Sequence, residues 1–330
     1  MSAITSPLFG APLAAEEEIV LLEPGIHRDI NEDHYHKLPY CGSTFIKTFK
    51  SRPAKVLMRH KTTDDMLIGQ ACHAFTLEGE AALHERFVIL GEDAPSRPSS
   101  RQINAKKPSE NTLSAIDWWQ EYDLACAGKT ILPKTYGDDV PSLRVIQMCD
   151  KAIRQHPTAS MLLSMGEPEL TVIWDDADSG LRCKARIDWM PPAGENGGYT
   201  PVDLKKTLTA ENDPFRRQIC KLHYDIQGGH YTNGLEANGK PCTAFTFISF
   251  EATPPWGVLP VYLGGGEEGN LWLRLGQAEA KRLLMLIREC LDMDFWPTFE
   301  LPYETASIAS VMGNPYALFT EMTAPPWHMI

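Results

Sequence analysis

No two of the eight cysteines are spaced C-x-x-C; they stand singly at positions 41, 72, 126, 149, 183, 220, 242 and 290. That excludes zinc-ribbon spacings and gives no disulfide framework, so free thiols in a reducing cytoplasm are expected. No apolar run approaches the ~18 residues that span a bilayer, so no membrane segment is expected. The opening MSAITSPLFGAPLAAEEEIV has no basic residue ahead of its mildly apolar stretch, which argues against a secretory leader. Residues 1–40 read as a flexible arm. There is no G-x-x-x-x-G-K-[ST], hence no nucleotide-driven motor in this chain, and no G-x-S-x-G or H-E-x-x-H. Gly264-Gly-Gly266 lacks the lysine of a phosphate cradle and reads as a turn. His34, His36 and His60 offer no pair at metal-ligand spacing on a helix. No internal repeat or low-complexity tract is present.

Positive charge is also scarce. The net charge is −12, awkward for a protein that grips phosphates. Residues 43–61 are the exception, with Lys47, Lys50, Arg52, Lys55, Arg59 and Lys61 and no acid among them. A basic channel and a merely solvated helix face both remain open for this stretch.

What is present suits a packed globular fold. The 330 residues are 43% hydrophobic and 22% charged, enough for one large domain or two ordinary ones. Residues 43–60 read as a helix split by Pro53, and Met66 to Leu77 as a second. The polar, Pro- and Ser-rich stretch 91–108 is a loop, followed by helices over 110–126 and 139–155. From Glu169 the pattern changes to strands at 170–174, 181–189 and 199–204, joined by turns. A helical run over 213–236 follows, weakened by Gly228-Gly229. Two more strands (243–250 and 257–263) and a long amphipathic helix (271–291) complete the pattern. The expected fold class is therefore α/β, with a core of helix, three strands, helix and strand after a helical N-terminal elaboration. A single domain over 41–295 is expected, comprising a helical part 41–160, a core 165–265 and a C-terminal helix 268–292. Residues 296–330 read as a tail.

The chemistry concentrates at Ile187-Asp188 and Asp203-Leu204-Lys205. Residues i and i+2 of a strand share a face, so Asp203 and Lys205 project together and a hairpin can bring Asp188 alongside. Two carboxylates suit a hard cation such as Mg²⁺, and a neighbouring ammonium can orient a water or balance developing negative charge. That combination fits phosphodiester cleavage.

Five pieces of the chain, in order, resemble the PD-(D/E)xK nuclease superfamily, and within it the RecB-like exonucleases of the RecE (exodeoxyribonuclease VIII) type found in phages and prophages. Tyr40-Cys-Gly-Ser-Thr-Phe-Ile-Lys-Thr-Phe-Lys-Ser-Arg-Pro-Ala54 is similar to that family's S-x-S-x-L-K-x-F-x-x-S-P-A opening helix. Gly69-Gln-Ala-Cys-His73-Ala-Phe-Thr-Leu-Glu78 resembles its G-x-x-x-H-x-x-x-L-E helix. Arg186-Ile-Asp188 resembles its R-x-D strand and Val202-Asp203-Leu-Lys205 its D-x-K strand. Tyr224-Asp-Ile-Gln227-Gly-Gly-His-Tyr231 is similar to its Q-x-x-x-Y helix.

The resemblance implies His73, Asp188, Asp203 and the Leu204 carbonyl as ligands of Mg²⁺, with Mn²⁺ able to substitute. It implies Lys205 as the residue that orients water and stabilises charge. Gln227 and Tyr231, i and i+4 on one helix face, would hold the site or the scissile strand. Glu169 opens the first core strand and Glu78 lies about 140° round the helix from His73; a supporting role and none at all stay open for both.

By the same resemblance the chain is expected to be a cytoplasmic, metal-dependent exodeoxyribonuclease degrading linear duplex DNA from 5′ ends in phage-type recombination. Its partners would be double-stranded DNA ends, a single-strand annealing protein and further copies of itself in a ring. An iron–sulfur relative would carry one cluster cysteine before the core and three after it; only Cys290 lies beyond the last core strands, so no iron–sulfur cluster is expected. The alternatives are a RecB-family nuclease with endonuclease or single-strand activity, and a non-catalytic DNA-end-binding subunit.

Overall fold

Eight consecutive residues, Ala244–Glu251 (β6), are all buried, as a strand must be when both faces of its sheet are covered. Their side chains alternate between two apolar cores. Phe245 and Phe247 pack with Phe215, Ile219, Leu235 and Leu283 on one face. Ile248 and Phe250 pack with Ile68, Cys72, Val145 and Ile146 on the other. This computed structural model, which describes residues 6–10, 19–58, 62–302 and 305–313, is thus a helix–sheet–helix sandwich of the expected class.

The other strands of the sheet are β1 (Gly25–His27), β2 (Cys41–Gly42), β3 (Glu167–Asp175), β4 (Arg182–Met190), β5 (Val202–Thr207) and β7 (Val258–Gly264). The order is β1-β3-β4-β5-β6-β7, with β2 pairing β4. β3, β4 and β5 form the antiparallel meander expected from the sequence, and β6 returns parallel to β5 after a helical crossover. Five helices surround the site: α1 (Glu32–Lys37), α2 (Ser43–Ser51), α3 (Asp64–Glu78), α4 (Asn212–Leu222) and α5 (Tyr224–Ala237). α6 (Glu267–Met293) packs across α5.

Three sequence expectations change. The helix expected over 213–236 is two helices, broken at His223, whose backbone is left-handed (φ 55°). Gly228-Gly229, which looked like the weak point, lies inside α5 for a packing reason. A Cβ on Gly229 would sit 2.2 Å from the Gly276 backbone, and one on Gly276 would sit 2.2 Å from the Asp225 carbonyl oxygen. Only glycines let α5 and α6 cross this closely.

Residues 19–40, expected to belong to a flexible arm, are folded. β1 pairs antiparallel with β3, and Leu38 and Tyr40 are fully buried. The Lys184 ammonium donates to the carbonyls of Tyr35 (2.9 Å), His36 (3.3 Å) and Leu38 (2.7 Å). It supplies a donor to the Tyr35 and His36 carbonyls at the end of α1 and a second donor to the Leu38 carbonyl, which also accepts from Tyr40 N–H (2.8 Å). At the other end, Trp296 packs edge-on against Phe45 and Phe49, and Ile308–Gly313 forms a short helix within the expected tail. Residues 1–5, 11–18, 303–304 and 314–330, together with Arg59, His60 and Lys61, lie outside the described residues.

Candidate active site

The site sits where the sheet forks. On its edge facing β5, strand β4 pairs first with β2, at Cys183 and Lys184, and then with β5 only at Trp189↔Val202. Between these stretches the backbone N–H of Leu204 is taken by the Asp188 carboxylate (2.8 Å) rather than by a ladder partner. On the other edge, the β3–β4 register runs through Pro168↔Trp189 and Leu170↔Ile187 but skips Glu169 and Asp188. Glu169 is held at φ 54°, a strained conformation for a residue other than glycine. Backbone strain and an interrupted ladder therefore meet at the R-x-D strand.

Around this fork the structure brings the expected residues together. His73 Nδ1 lies 3.3 Å from Asp188 Oδ2, and its ring also meets the Leu204 backbone. The Lys205 ammonium is 2.5 Å from Asp203 Oδ2. Gln227 Nε2 donates to Asp203 Oδ1 (2.7 Å). Tyr231 and Leu204 line the same cleft. α3 supplies His73 because its cleft face recurs at helical spacing through Met66, Gly69, Gln70 and His73. The helix is opened by the Thr63 side chain accepting from Met66 N–H and is stopped by Gly79 at φ 92°.

Electrostatics at the fork is set first by burial and then by closely spaced charges. Burial and the adjacent Asp203 push the Asp188 carboxyl up to about 8, against the pull of Lys205. Burial also acts to lower the Lys205 ammonium, but Asp203 and Asp188 outweigh it and hold Lys205 above its ordinary value. His73 is lowered by burial and by Lys205. Burial pushes Glu169 up to about 7 even though Arg186 pairs with it. The raised Asp188 and Lys205 mark an excess of negative charge beside Asp203, whereas the lowered His73 reports burial and the nearby Lys205 cation.

The carboxylates do not stand as a finished metal cage: among the described residues, no group of three or more His, Cys, Asp or Glu is spaced to hold an ion. Asp203 is turned toward Gln227 and Lys205. The donor chemistry nonetheless fits a divalent cation. An imidazole, two carboxylates and a backbone carbonyl converge, and the buried Asp203 Oδ2 accepts no well-directed hydrogen bond despite its ion pair.

The surroundings hold residues that the sequence reading missed or misplaced. Tyr224 lines the cleft, with the Lys47 and Lys205 ammoniums 5.3 and 5.1 Å from its ring centroid. Its spacing from Gln227 and Tyr231, i, i+3 and i+7, was the available signal. Lys47 donates to Gln227 Oε1 (2.8 Å) and Lys50 to Glu279 (2.7 Å), so part of the basic stretch 43–61 is spent inside the protein. Arg217 and Lys221, exposed and one turn apart on α4, line the cleft instead. Glu32 and Tyr35 on α1 complete a wall that the arm was not expected to provide. Glu78 pairs with Arg86 and is not among the described cleft residues.

This cleft has a volume of about 1880 Å³, beyond the ~300–1,000 Å³ of small-molecule pockets. Its lip carries exposed apolar side chains, including Leu57, Met58, Met66 and Leu208. No described helix is long and apolar enough to cross a membrane.

Comparison with known proteins gives a family. None of the curated proteins compared matches the chain. Among solved structures, a protein from Eubacterium rectale described as "Putative exonuclease" aligns over 84% of this chain and 92% of its own, at 12% identity and TM-score 0.49. A protein named SSO0001 aligns over 78% and 89%, at 10% identity and TM-score 0.24. The sequence model described as "PDDEXK-like domain of unknown function (DUF3799)" matches residues 34–298, a span that contains the whole fork and its helices except the first two residues of α1. The chain belongs to this PDDEXK-like family, within the PD-(D/E)xK superfamily.

Proposed function

We propose that the protein is a metal-dependent deoxyribonuclease, an exonuclease acting on the ends of linear duplex DNA. The observation that carries this reading is the convergence of His73, Asp188, Asp203 and Lys205 at the sheet fork, on the floor of a cleft large enough for a polymer. His73, the two aspartates and the Leu204 carbonyl would hold Mg²⁺ or Mn²⁺. Such an ion, when bound, lowers the pKa of a water and offsets charge on phosphoryl oxygens. Lys205 places its ammonium where negative charge develops and orients the attacking water. Gln227 holds Asp203, Tyr231 backs the site from α5, and Arg217 and Lys221 supply phosphate contacts at the rim.

Side-chain acid–base help gives about 10²–10⁴-fold, far short of what phosphodiester hydrolysis demands; this favours a cation in the cluster over Lys205 acting alone. End dependence, 5′→3′ direction, ring assembly and a recombination role beside an annealing protein follow from the resemblance of the five motifs. The test is incubation of the purified protein with linear and closed circular duplexes, with Mg²⁺, Mn²⁺ or EDTA. Linear DNA labelled at either end should be lost from its 5′ termini, circles should survive, and EDTA should stop the reaction. Equal attack on circles would make the protein an endonuclease. No cleavage in any metal would leave only a DNA-end-binding role.

A further inference from the structure

Lys47 is half-buried on α2, far in sequence from the fork, and it is not among the described residues lining the cleft. It nevertheless heads a hydrogen-bond chain into the site. Its ammonium donates to Gln227 Oε1 at 2.8 Å, and Gln227 Nε2 donates to Asp203 Oδ1 at 2.7 Å. We propose that Lys47 is a positioning residue. It fixes the Gln227 amide in the one orientation that donates to Asp203, and so aims the second carboxylate oxygen into the cleft.

An amide can present either its oxygen or its nitrogen in nearly the same shape, so packing alone does not choose between the two flips. Burial and the nearby Lys205 bring Lys47 down to about 7, but in its ammonium form it can only donate, and a carboxylate can only accept. Set between them, Gln227 has one orientation that satisfies both. With Lys47 replaced by an apolar side chain, the amide oxygen loses its partner in a residue only 4% exposed. The amide is then free to flip or swing away from Asp203. The donor at 227 decides what Asp203 presents: Oδ1 is occupied by the amide, while Oδ2, beside Lys205, accepts no well-directed hydrogen bond. Tyr224 strengthens the arrangement, because the Lys47 and Lys205 ammoniums lie 5.3 and 5.1 Å from the centre of its ring. Cation–π contact fixes both cations relative to one rigid plane.

The orientation step stands on this chain alone; only its consequence for cation binding rests on the proposed function. The first readout is therefore metal-free. With ¹⁵N-glutamine labelling, the Gln227 side-chain amide, assigned by its loss in Gln227→Met, should show two well-separated protons that exchange slowly with solvent. In Lys47→Met those signals should draw together and exchange faster, while Lys47→Arg, which keeps a donor, should retain them.

The second readout is Mn²⁺ affinity by calorimetry without DNA. Partners that orient metal ligands are typically worth 10–100-fold in affinity, so Lys47→Met should bind about 10-fold more weakly and Lys47→Arg near normally. Lys47→Met placed on Gln227→Met should cause no further loss, because both act through one chain. Unchanged amide signals in Lys47→Met, or a fully additive loss in the double variant, would overturn the proposal and make Lys47 an independent cation. If the unaltered protein binds no Mn²⁺, the metal reading falls while the amide signals still decide the role of Lys47. Should Lys47→Met not fold, Lys47→Gln, uncharged and too short to reach Gln227, serves in the same two measurements.

Discussion

Lys184 on β4 and Lys205 on β5 are lysines withdrawn from solvent on adjacent strands, yet their surroundings give them opposite characters. Lys184 is 5% exposed and is met by three carbonyl oxygens at the end of α1. No carboxylate offsets its burial, which pushes the amine down to about 7. Lys205 is met by Asp203 and Asp188, which more than cancel burial and hold the ammonium above its ordinary value. Carbonyl dipoles at a helix end are fixed, so Lys184, although it too lines the cleft, staples α1 to the sheet. A carboxylate on a cleft floor can exchange its ammonium for an incoming cation, which leaves the ammonium available to a phosphate. Burial makes a lysine costly; its partners decide whether that cost supports the fold or the chemistry.

The comparison breaks most easily at Lys205. Lys205→Ala should lower cleavage by about 10²–10³-fold, as loss of a charge-stabilising donor does, while calorimetry still detects Mn²⁺ binding. Asp203→Asn should lose both, because it removes a proposed ligand. Near-normal turnover in Lys205→Ala would place Lys205 with Lys184 as a structural residue. Lys184→Met should show the reverse pattern. Urea unfolding should reveal a loss of about 1–3 kcal/mol from carbonyls left unsatisfied, with cleavage close to normal where the protein remains folded. Collapse of activity without loss of stability would mean that this lysine also serves the site.

Titration sharpens the same contrast. The ordinary lysine value is 10.5, and burial brings Lys184 to about 7 in the folded chain. Between those limits the unfolded chain binds the more protons, so stability rises with pH across the window. Unfolding measured from pH 7 to 10 should therefore show the unaltered protein gaining on Lys184→Met. A constant difference between the two would mean that the three carbonyls keep Lys184 fully charged.

Much of this was legible in the sequence where local pattern and fold agree. The three consecutive strands, the strand after the following helices and the i, i+2 placement of Asp203 and Lys205 follow from strand periodicity, whereas His73 was marked by the resemblance of its helix to a family motif. What was not legible depends on partners distant in the chain. Gly228-Gly229 looked like a helix fault because Gly276, which makes it necessary, is tens of residues away. Residues 19–40 looked like an arm because β1 finds its ladder partner only on β3, and the carbonyls of Ile30, Tyr35, His36 and Leu38 meet side chains of β4. The break at His223 carries neither proline nor glycine, so local composition could not announce it. Lys47 and Lys50 were counted with a basic surface because composition records charge and not what neutralises it. Their partners, Gln227 and Glu279, lie 180 and 229 residues away.

That last difference yields the smallest effect. If cations already engaged inside the protein contribute little to DNA affinity, the salt dependence should depend on Arg217 and Lys221, which are exposed on the cleft face of α4 and have no ion-pair partner among the described residues. Each lost phosphate contact flattens the slope of log K against log salt by about 0.9 on duplex DNA. Arg217→Ala with Lys221→Ala should therefore reduce the slope by up to ~1.8, read from fluorescence anisotropy across a salt series with cleavage suppressed in EDTA. Lys50→Ala should leave the slope unchanged, because that ammonium faces the Glu279 carboxylate. A slope that responds to Lys50 and ignores α4 would place the duplex along α2, and the division between cations spent on the fold and cations facing the cleft would fail on this side of the molecule.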